Sequence, residues 1–278
     1  MIYLTNESNL LATGLPLKTI SKILTKSKSD KNIQDSLKEV HPKYLKRYLI
    51  FSEYKTLVKD GLQKLPIIPI IAGIPGVGKT TLAKELSTAL NIGIVIGGDA
   101  LRSSLRSIIN RDENEIFHES VYNTWKYFGD YTKENLTKGF ETQAKIMNQA
   151  VERMVFDRGL RDGESMIIEY LHFLPKQFSS EFLKHPSVIP ILLQITDEDV
   201  YRERIKQRSK YSHIRSPVDR LLPQINKYFE IQEYFLFKCS QSDFKIVNMN
   251  GLSEGFEETL DYILLRIEEL NKLKDITI

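Results

Sequence analysis

Gly73-Ile-Pro-Gly76-Val77-Gly78-Lys79-Thr80 is a complete Gly-x4-Gly-Lys-Thr run, a spacing at which a chain can wrap phosphate. Glycines at 73, 76 and 78 permit backbone conformations closed to other residues, so successive N–H groups can turn toward one anion. Those amides, Val77 and Thr81 included, would enclose the β- and γ-phosphates of a nucleoside triphosphate together with a helix N-terminus and the Lys79 ammonium. Thr80 would offer its hydroxyl to the accompanying Mg²⁺. The motif carries this meaning only between a strand and a helix. Residues 67–72 read as a buried strand and 81–90 as an amphipathic helix, which supplies that setting.

Further apolar runs at 92–96, 165–168, 188–195 and 244–247 read as buried parallel strands separated by long helical stretches. The alternation predicts a doubly wound α/β fold, a five-stranded parallel sheet with helices on both faces. In such sheets ligands sit beyond the carboxyl ends of the strands, so chemistry is sought just after each run. Asp99 follows the second. A carboxylate there can orient or deprotonate an acceptor hydroxyl, and with Thr80 it is a candidate for the metal. It also reads as the N-cap of a helix from Ala100. Arg102, one turn on, can fork onto an anionic group of the acceptor. Glu169 closes the third run and serves either the Mg²⁺ shell or the attacking group. His172 beyond it reads equally as a substrate contact or a structural hydrogen bond.

Residues 99–163 are too many for a simple crossover and must hold extra helices, with 141–158 the clearest. After the fourth run, 197–208 reads as a helix with a basic C-terminal half, followed by a polar stretch 209–217. That pattern predicts a lid over about 205–220. Its Arg204 and Arg208, on one helical face, would close on the transferring phosphoryl group as catalytic partners of Lys79 and Asp99.

The 278-residue chain is 41% hydrophobic and 27% charged, the balance of a soluble globular protein. A lone cysteine, Cys239, excludes a disulfide framework or a Cys-based metal site and reads as core filling. No apolar stretch nears the ~18–20 residues that span a bilayer, and the first residues lack a signal-peptide layout, so a cytoplasmic protein is expected. Net charge is +3, but residues 1–64 carry twelve Lys and Arg against six Asp and Glu. A basic region can meet an anion such as nucleic acid, although a solvated lysine-rich surface is the simpler reading. Within it, 17–26 and 45–62 read as helices around a polar break at 27–30. Pro66 and Pro69 mark a boundary, giving a helical region 1–64 before a main domain 65–278.

The chain resembles the archaeal 2-phosphoglycerate kinases over about residues 9–250. Asp99-Ala-Leu-Arg102 is similar to that family's Asp-x-Ile-Arg segment, and Ser120-Val-Tyr122-Asn-Thr-Trp125 to its Ser-Ser-Tyr-x-Ala-Trp. Gly139-Phe-Glu-Thr-Gln143-Ala144 resembles its Gly-Phe-x-x-Gln-Ala, and Ile168-Glu169-Tyr-Leu-His172-Phe-Leu-Pro175 its Ile-Glu-Gly-x-His-x-x-Pro. Leu10-Leu-Ala-Thr13-Gly14-Leu15 resembles the small ATP-cone-like region that precedes the kinase in several members. The resemblance implies a P-loop kinase using ATP and Mg²⁺ to convert 2-phosphoglycerate to 2,3-bisphosphoglycerate. On the acceptor side stand Arg102, Tyr122, Trp125, Gln143, Glu169 and His172, with core packing an equal reading for the aromatic pair. Tyr170 and Leu171 replace the small residue usual after the glutamate, and Asn123-Thr124 alters the Tyr-x-Ala-Trp turn. Both departures are expected to flank the acceptor pocket. Two rivals stay open: a kinase for a nucleoside, polyol phosphate or RNA end, and a non-catalytic ATP-sensing partner protein, which would need no acceptor-side base.

Overall fold

Five short runs, β1 (Ile68–Ala72), β2 (Ile94–Gly97), β3 (Met166–Tyr170), β4 (Val188–Gln194) and β5 (Lys245–Asn248), pair in parallel in the order β2-β3-β1-β4-β5. The structure is a computed structural model and describes residues 5–27, 29–211, 218–240, 242 and 244–273. β1 and β3 bury every residue, as strands covered on both faces must, while the edge strands β2 and β5 are partly exposed. The expected doubly wound sheet is thus the observed one. Strand order reverses at β1, and a crevice opens at the carboxyl ends where such a reversal occurs. The phosphate loop leaves β1 at that point.

Among the described residues four helices precede the sheet: α1 (Thr5–Leu11), α2 (Leu17–Lys26), α3 (Asp30–Val40) and α4 (Pro42–Lys59). Leu10, Leu15, Ile20, Ile23, Ile33, Leu37 and Tyr48 bury a small core of their own, whereas Ile50, Phe51 and Tyr54 of α4 join the main one. Among the described residues nine helices follow: α5 (Lys79–Ala89), α6 (Gly98–Ile108), α7 (Glu115–His118), α8 (Lys133–Met154), α9 (Ser180–Lys184), α10 (Glu198–Tyr211), α11 (Val218–Leu221), α12 (Ile225–Cys239) and α13 (Leu252–Lys272). Successive residues of a strand face opposite ways. Glu169 bonds Thr80 of α5 while Tyr170 bonds Asn148 of α8, so these two helices cover opposite faces.

Two local expectations shift. The helix expected over 141–158 begins eight residues earlier, because Thr132 caps it by accepting from the Asn135 N–H at 3.0 Å. Asp99 is no N-cap: α6 starts directly from β2, its cap is Gly97, and Asp99 lies in the first turn. A side chain on Gly98 would place its Cβ 2.3 Å from Tyr170 Cβ, so only glycine lets α6 begin this close to β3.

The basic excess of the first 64 residues is partly spent within the molecule. Arg47, 2% exposed, donates to Asp261 Oδ1 at 2.7 Å, Glu257 Oε2 at 2.8 Å and the Thr13 carbonyl at 2.8 Å. Lys43 joins Glu257 at 2.9 Å. These bonds tie α4 and the end of α1 to α13. Among the described residues no helix is long and apolar enough to cross a membrane.

Candidate active site

The loop after β1 turns through two glycines with left-handed backbone, Gly76 at φ +87° and Gly78 at φ +114°, a conformation that side chains penalise. The chain then enters α5, whose first residues are Lys79 and Thr80. Lys79 Nζ donates to the Ile74 carbonyl at 3.1 Å, which folds the ammonium back over the loop. Thr80 Oγ1 donates to Glu169 Oε1 at 2.9 Å, and Glu169 is buried at the end of β3. This couples a hydroxyl and a carboxylate, both hard oxygen donors suited to Mg²⁺. Among the described residues no cluster of three or more His, Cys, Asp or Glu could hold an ion alone. An ion carried on nucleotide phosphates does not need one, since Mg²⁺ commonly takes only one or two protein ligands there. The residues present therefore fit it.

The register pairs Gly97 with Glu169, so the β2–α6 junction lies one strand further from the loop than the Thr80–Glu169 contact. Asp99, Arg102 and Arg106 then recur at intervals of three and four on one face of α6. Arg102 Nη2 donates to the carbonyls of Phe117 (3.1 Å) and Glu119 (2.6 Å). Arg106 reaches the same two, through Nε at 3.0 Å and Nη2 at 2.8 Å. Gln143 Nε2 adds bonds to Ile116 O at 2.5 Å and Glu119 O at 2.9 Å. Burial, with Arg106 adding repulsion, pulls Arg102 down to about 10, which leaves it cationic at neutral pH. His172, 4% exposed, stacks on Phe140 with centroids 5.6 Å apart. Burial above all, then Arg102, Lys79 and Arg106, hold its pKa well below 6.5 and keep the ring neutral. Those three cations thus share one electrostatic neighbourhood around His172.

Tyr122 and Trp125 lie on a 3₁₀ segment, Val121–Phe128, that packs on α8. Tyr122 is buried edge-on to Tyr228, 5.9 Å between centroids, and Trp125 stands beside Tyr131 with Lys227 Nζ over its ring at 5.5 Å. Among the described residues eleven enclosed side-chain atoms have no hydrogen-bond partner, and four of them belong to residues expected on the acceptor side: Arg102 Nε, Trp125 Nε1, Gln143 Oε1 and His172 Nε2. Buried polar atoms are nearly always satisfied, so each of these has donor or acceptor capacity open to a polar ligand. Arg106 was not singled out in the sequence, although its spacing from Asp99 and Arg102 carried the signal.

The departures at Tyr170 and Thr124 prove to be packing. Tyr170 is buried in the core and donates to Asn148 Oδ1 at 3.0 Å, and Thr124 is buried with its hydroxyl on the Val121 carbonyl at 2.8 Å. The expected lid is only partly visible. Tyr201 donates to the Pro75 carbonyl at 2.6 Å, and Ile205 lies where a Gly76 Cβ would come within 2.9 Å, so the start of α10 is clamped on the loop. Arg204 donates to Val77 O at 3.1 Å and Asn250 O at 3.0 Å, bracing the loop against the segment after β5. The Arg208 side chain and residues 212–217 lie outside the described residues.

The family profile described as AAA domain matches residues 70–220. A 2-phosphoglycerate kinase of Methanocaldococcus jannaschii is 30% identical over 240 residues, covering 83% of this chain and 75% of that one. The mevalonate-3-phosphate 5-kinase of Thermoplasma acidophilum is 31% identical over 211 residues, covering 75% of this chain and 97% of that one. A 2-phosphoglycerate kinase of Methanopyrus kandleri is 26% identical, covering 83% and 69%. With its phosphate loop and doubly wound sheet in place, the chain belongs to the 2-phosphoglycerate kinase family and is a P-loop small-molecule kinase.

Proposed function

We propose that the protein transfers the γ-phosphoryl group of ATP to the free hydroxyl of 2-phosphoglycerate, giving ADP and 2,3-bisphosphoglycerate. The observation that carries this reading is the placement of Asp99 and Arg102 one turn apart on α6, across the Thr80–Glu169 contact from the phosphate loop. One carboxylate and one guanidinium at that spacing match a hydroxyl and an anionic group on one small acceptor.

The loop amides and Lys79 hold the donor phosphates and position the γ-phosphorus. Thr80 and Glu169 would hold Mg²⁺, which neutralises charge on the β- and γ-phosphate oxygens. Asp99 accepts the proton of the acceptor hydroxyl as its oxygen bonds to phosphorus, while the bond to the β,γ-bridging oxygen breaks and ADP leaves. Arg102 grips the acceptor's phosphate. Neutral His172, its Nε2 unpartnered, offers a hydrogen bond without adding charge. Arg204 acts on the loop rather than on substrate, keeping it seated against Asn250.

A second reading, mevalonate 3-phosphate as acceptor, is favoured by the Thermoplasma acidophilum relative, which aligns over nearly its whole length. Both molecules carry a phosphomonoester, a carboxylate and a primary hydroxyl. ADP release by purified protein with Mg²⁺ and each acceptor tests the proposal. Strong stimulation by 2-phosphoglycerate, lost in Lys79→Ala and Asp99→Asn, is expected. Stimulation only by mevalonate 3-phosphate overturns the first reading for the second.

A further inference from the structure

Arg102 and Arg106 form an unusual pair. Both guanidiniums converge on the same two carbonyls, Phe117 O and Glu119 O, and among the described residues neither is ion-paired to a carboxylate. The nearest acids are otherwise engaged or distant in role. Glu119 spends Oε1 on the Ser120 N–H at 2.7 Å and on Asn123 Nδ2 at 3.3 Å, and Asp99 is exposed at the start of α6. Carbonyls satisfy hydrogen bonds but do not neutralise charge. Two cations four residues apart on one helix repel, and partial burial sharpens the repulsion. Together they present ten N–H donors of which the protein uses few, and the enclosed Arg102 Nε is one of those left over.

A single structural anchor for the 116–119 segment would need one guanidinium, and Gln143 already supplies a neutral donor to the Ile116 and Glu119 carbonyls of that segment. Asp99 and Glu119 offset the two charges only in part, without an ion pair, and positive charge left over is a cost that an incoming anion offsets. Lys79 is already claimed by the donor phosphates, so the surplus belongs to the acceptor.

We infer that Arg106 is a second acceptor-binding arm, which with Arg102 selects an acceptor bearing a dianionic phosphomonoester over the same hydroxy acid without it. The inference rests on the kinase reading above and names the group that sets its specificity. Arg102 alone, partly offset by Asp99, would balance less than one negative charge. Arg106 adds a second positive charge and brings the pair closer to the two negative charges of a phosphomonoester.

The test compares kcat/KM for 2-phosphoglycerate against glycerate, and for mevalonate 3-phosphate against mevalonate, in wild type, Arg106→Gln and Arg106→Lys. Arg106→Gln should lower kcat/KM for the phosphorylated acceptor roughly 10- to 100-fold, mostly through KM, and leave the unphosphorylated one within about twofold. The KM for ATP should not move. Arg106→Lys, which keeps the charge but not the fork, should fall between. Equal losses on both members of a pair would overturn the inference, because a merely structural role predicts that result. So would an unchanged ratio in a folded variant. If mevalonate 3-phosphate replaces 2-phosphoglycerate as acceptor, the substrate reading fails while the ratio within the mevalonate pair still decides the role of Arg106. If neither serves, calorimetric titration of inorganic phosphate into the protein saturated with ADP and Mg²⁺ decides it. Weaker binding in Arg106→Gln upholds the role, and equal or absent binding ends it.

Discussion

Replacing Glu169 by Gln and Asp99 by Asn should separate the metal side of the site from its acceptor side. Glu169 is buried and receives the Thr80 hydroxyl at 2.9 Å, so Gln can keep that contact while removing the charge. Partners that orient a metal ligand typically contribute 10–100-fold to metal affinity or activity. Glu169→Gln should therefore raise the Mg²⁺ concentration for half-maximal rate by about that factor, roughly 1.4–2.7 kcal/mol, with much of kcat recovered at saturating Mg²⁺. Asp99 sits two residues beyond the strand position paired with Glu169, on the helix face that carries Arg102 and Arg106. Loss of its base should lower kcat by roughly 10²–10⁴ and leave the Mg²⁺ midpoint unchanged. The assay is the initial rate of acceptor-dependent ADP formation over a Mg²⁺ titration at fixed ATP. A shifted midpoint in Asp99→Asn with none in Glu169→Gln would refute the reasoning and give Asp99 the metal.

Three other outcomes follow from the same geometry. Arg47→Ala leaves the buried Thr13 carbonyl without its donor and breaks bonds to two carboxylates that can rehydrate, so about 3 kcal/mol should be lost. Thermal melts should fall by roughly 5–10 °C with the KM values intact, and a shift under 2 °C would show the ties to α13 contribute little. Gly98→Ala drives a Cβ to 2.3 Å from Tyr170 Cβ and 2.9 Å from its Cα, which requires α6 to move. Acceptor turnover should drop more than ATP binding, and equal effects on both would contradict that. His172 has a folded pKa well below 6.5, so the unfolded chain binds the extra proton first. Its contribution is full above pH ~6.5 and is lost as pH falls, at up to about 1.4 kcal/mol per unit. Urea midpoints of wild type should therefore fall faster than those of His172→Gln between pH 7 and 5, and parallel curves would contradict a neutral buried ring.

The sheet and the phosphate loop were legible because both are written locally. Mainly apolar runs of four to eight residues have few alternatives to a covered parallel strand, and the Gly-x4-Gly-Lys-Thr spacing has one geometry between strand and helix. Strand ends drifted by one or two residues, since the last paired residue depends on its neighbour's register rather than on its own side chain. The early start of α8 had a visible sign in Thr132, outweighed by the stronger periodicity further on.

The residues proposed for the acceptor could be picked out singly in the sequence, but their contacts could not. Tyr170 and Thr124 looked like changes to an acceptor pocket because they interrupt the motifs expected to flank it. Only the third dimension shows Tyr170 turned to Asn148 and Thr124 to its own segment, where they fill the core. Conversely, Arg106 lies at a spacing any helical reading exposes, yet its meaning depends on what the two arginines lack. A carboxylate partner could have come from anywhere in the chain, so no local pattern could announce its absence. The same logic governs Arg204. A basic helix face predicts a cation but not its destination, and here Val77 and Asn250, 127 and 46 residues away, decide that it braces the loop. Charges acquire a function from the long-range contacts that do or do not satisfy them, and for that reason the acceptor side needs substitution of Arg106 rather than closer reading of the motif around it.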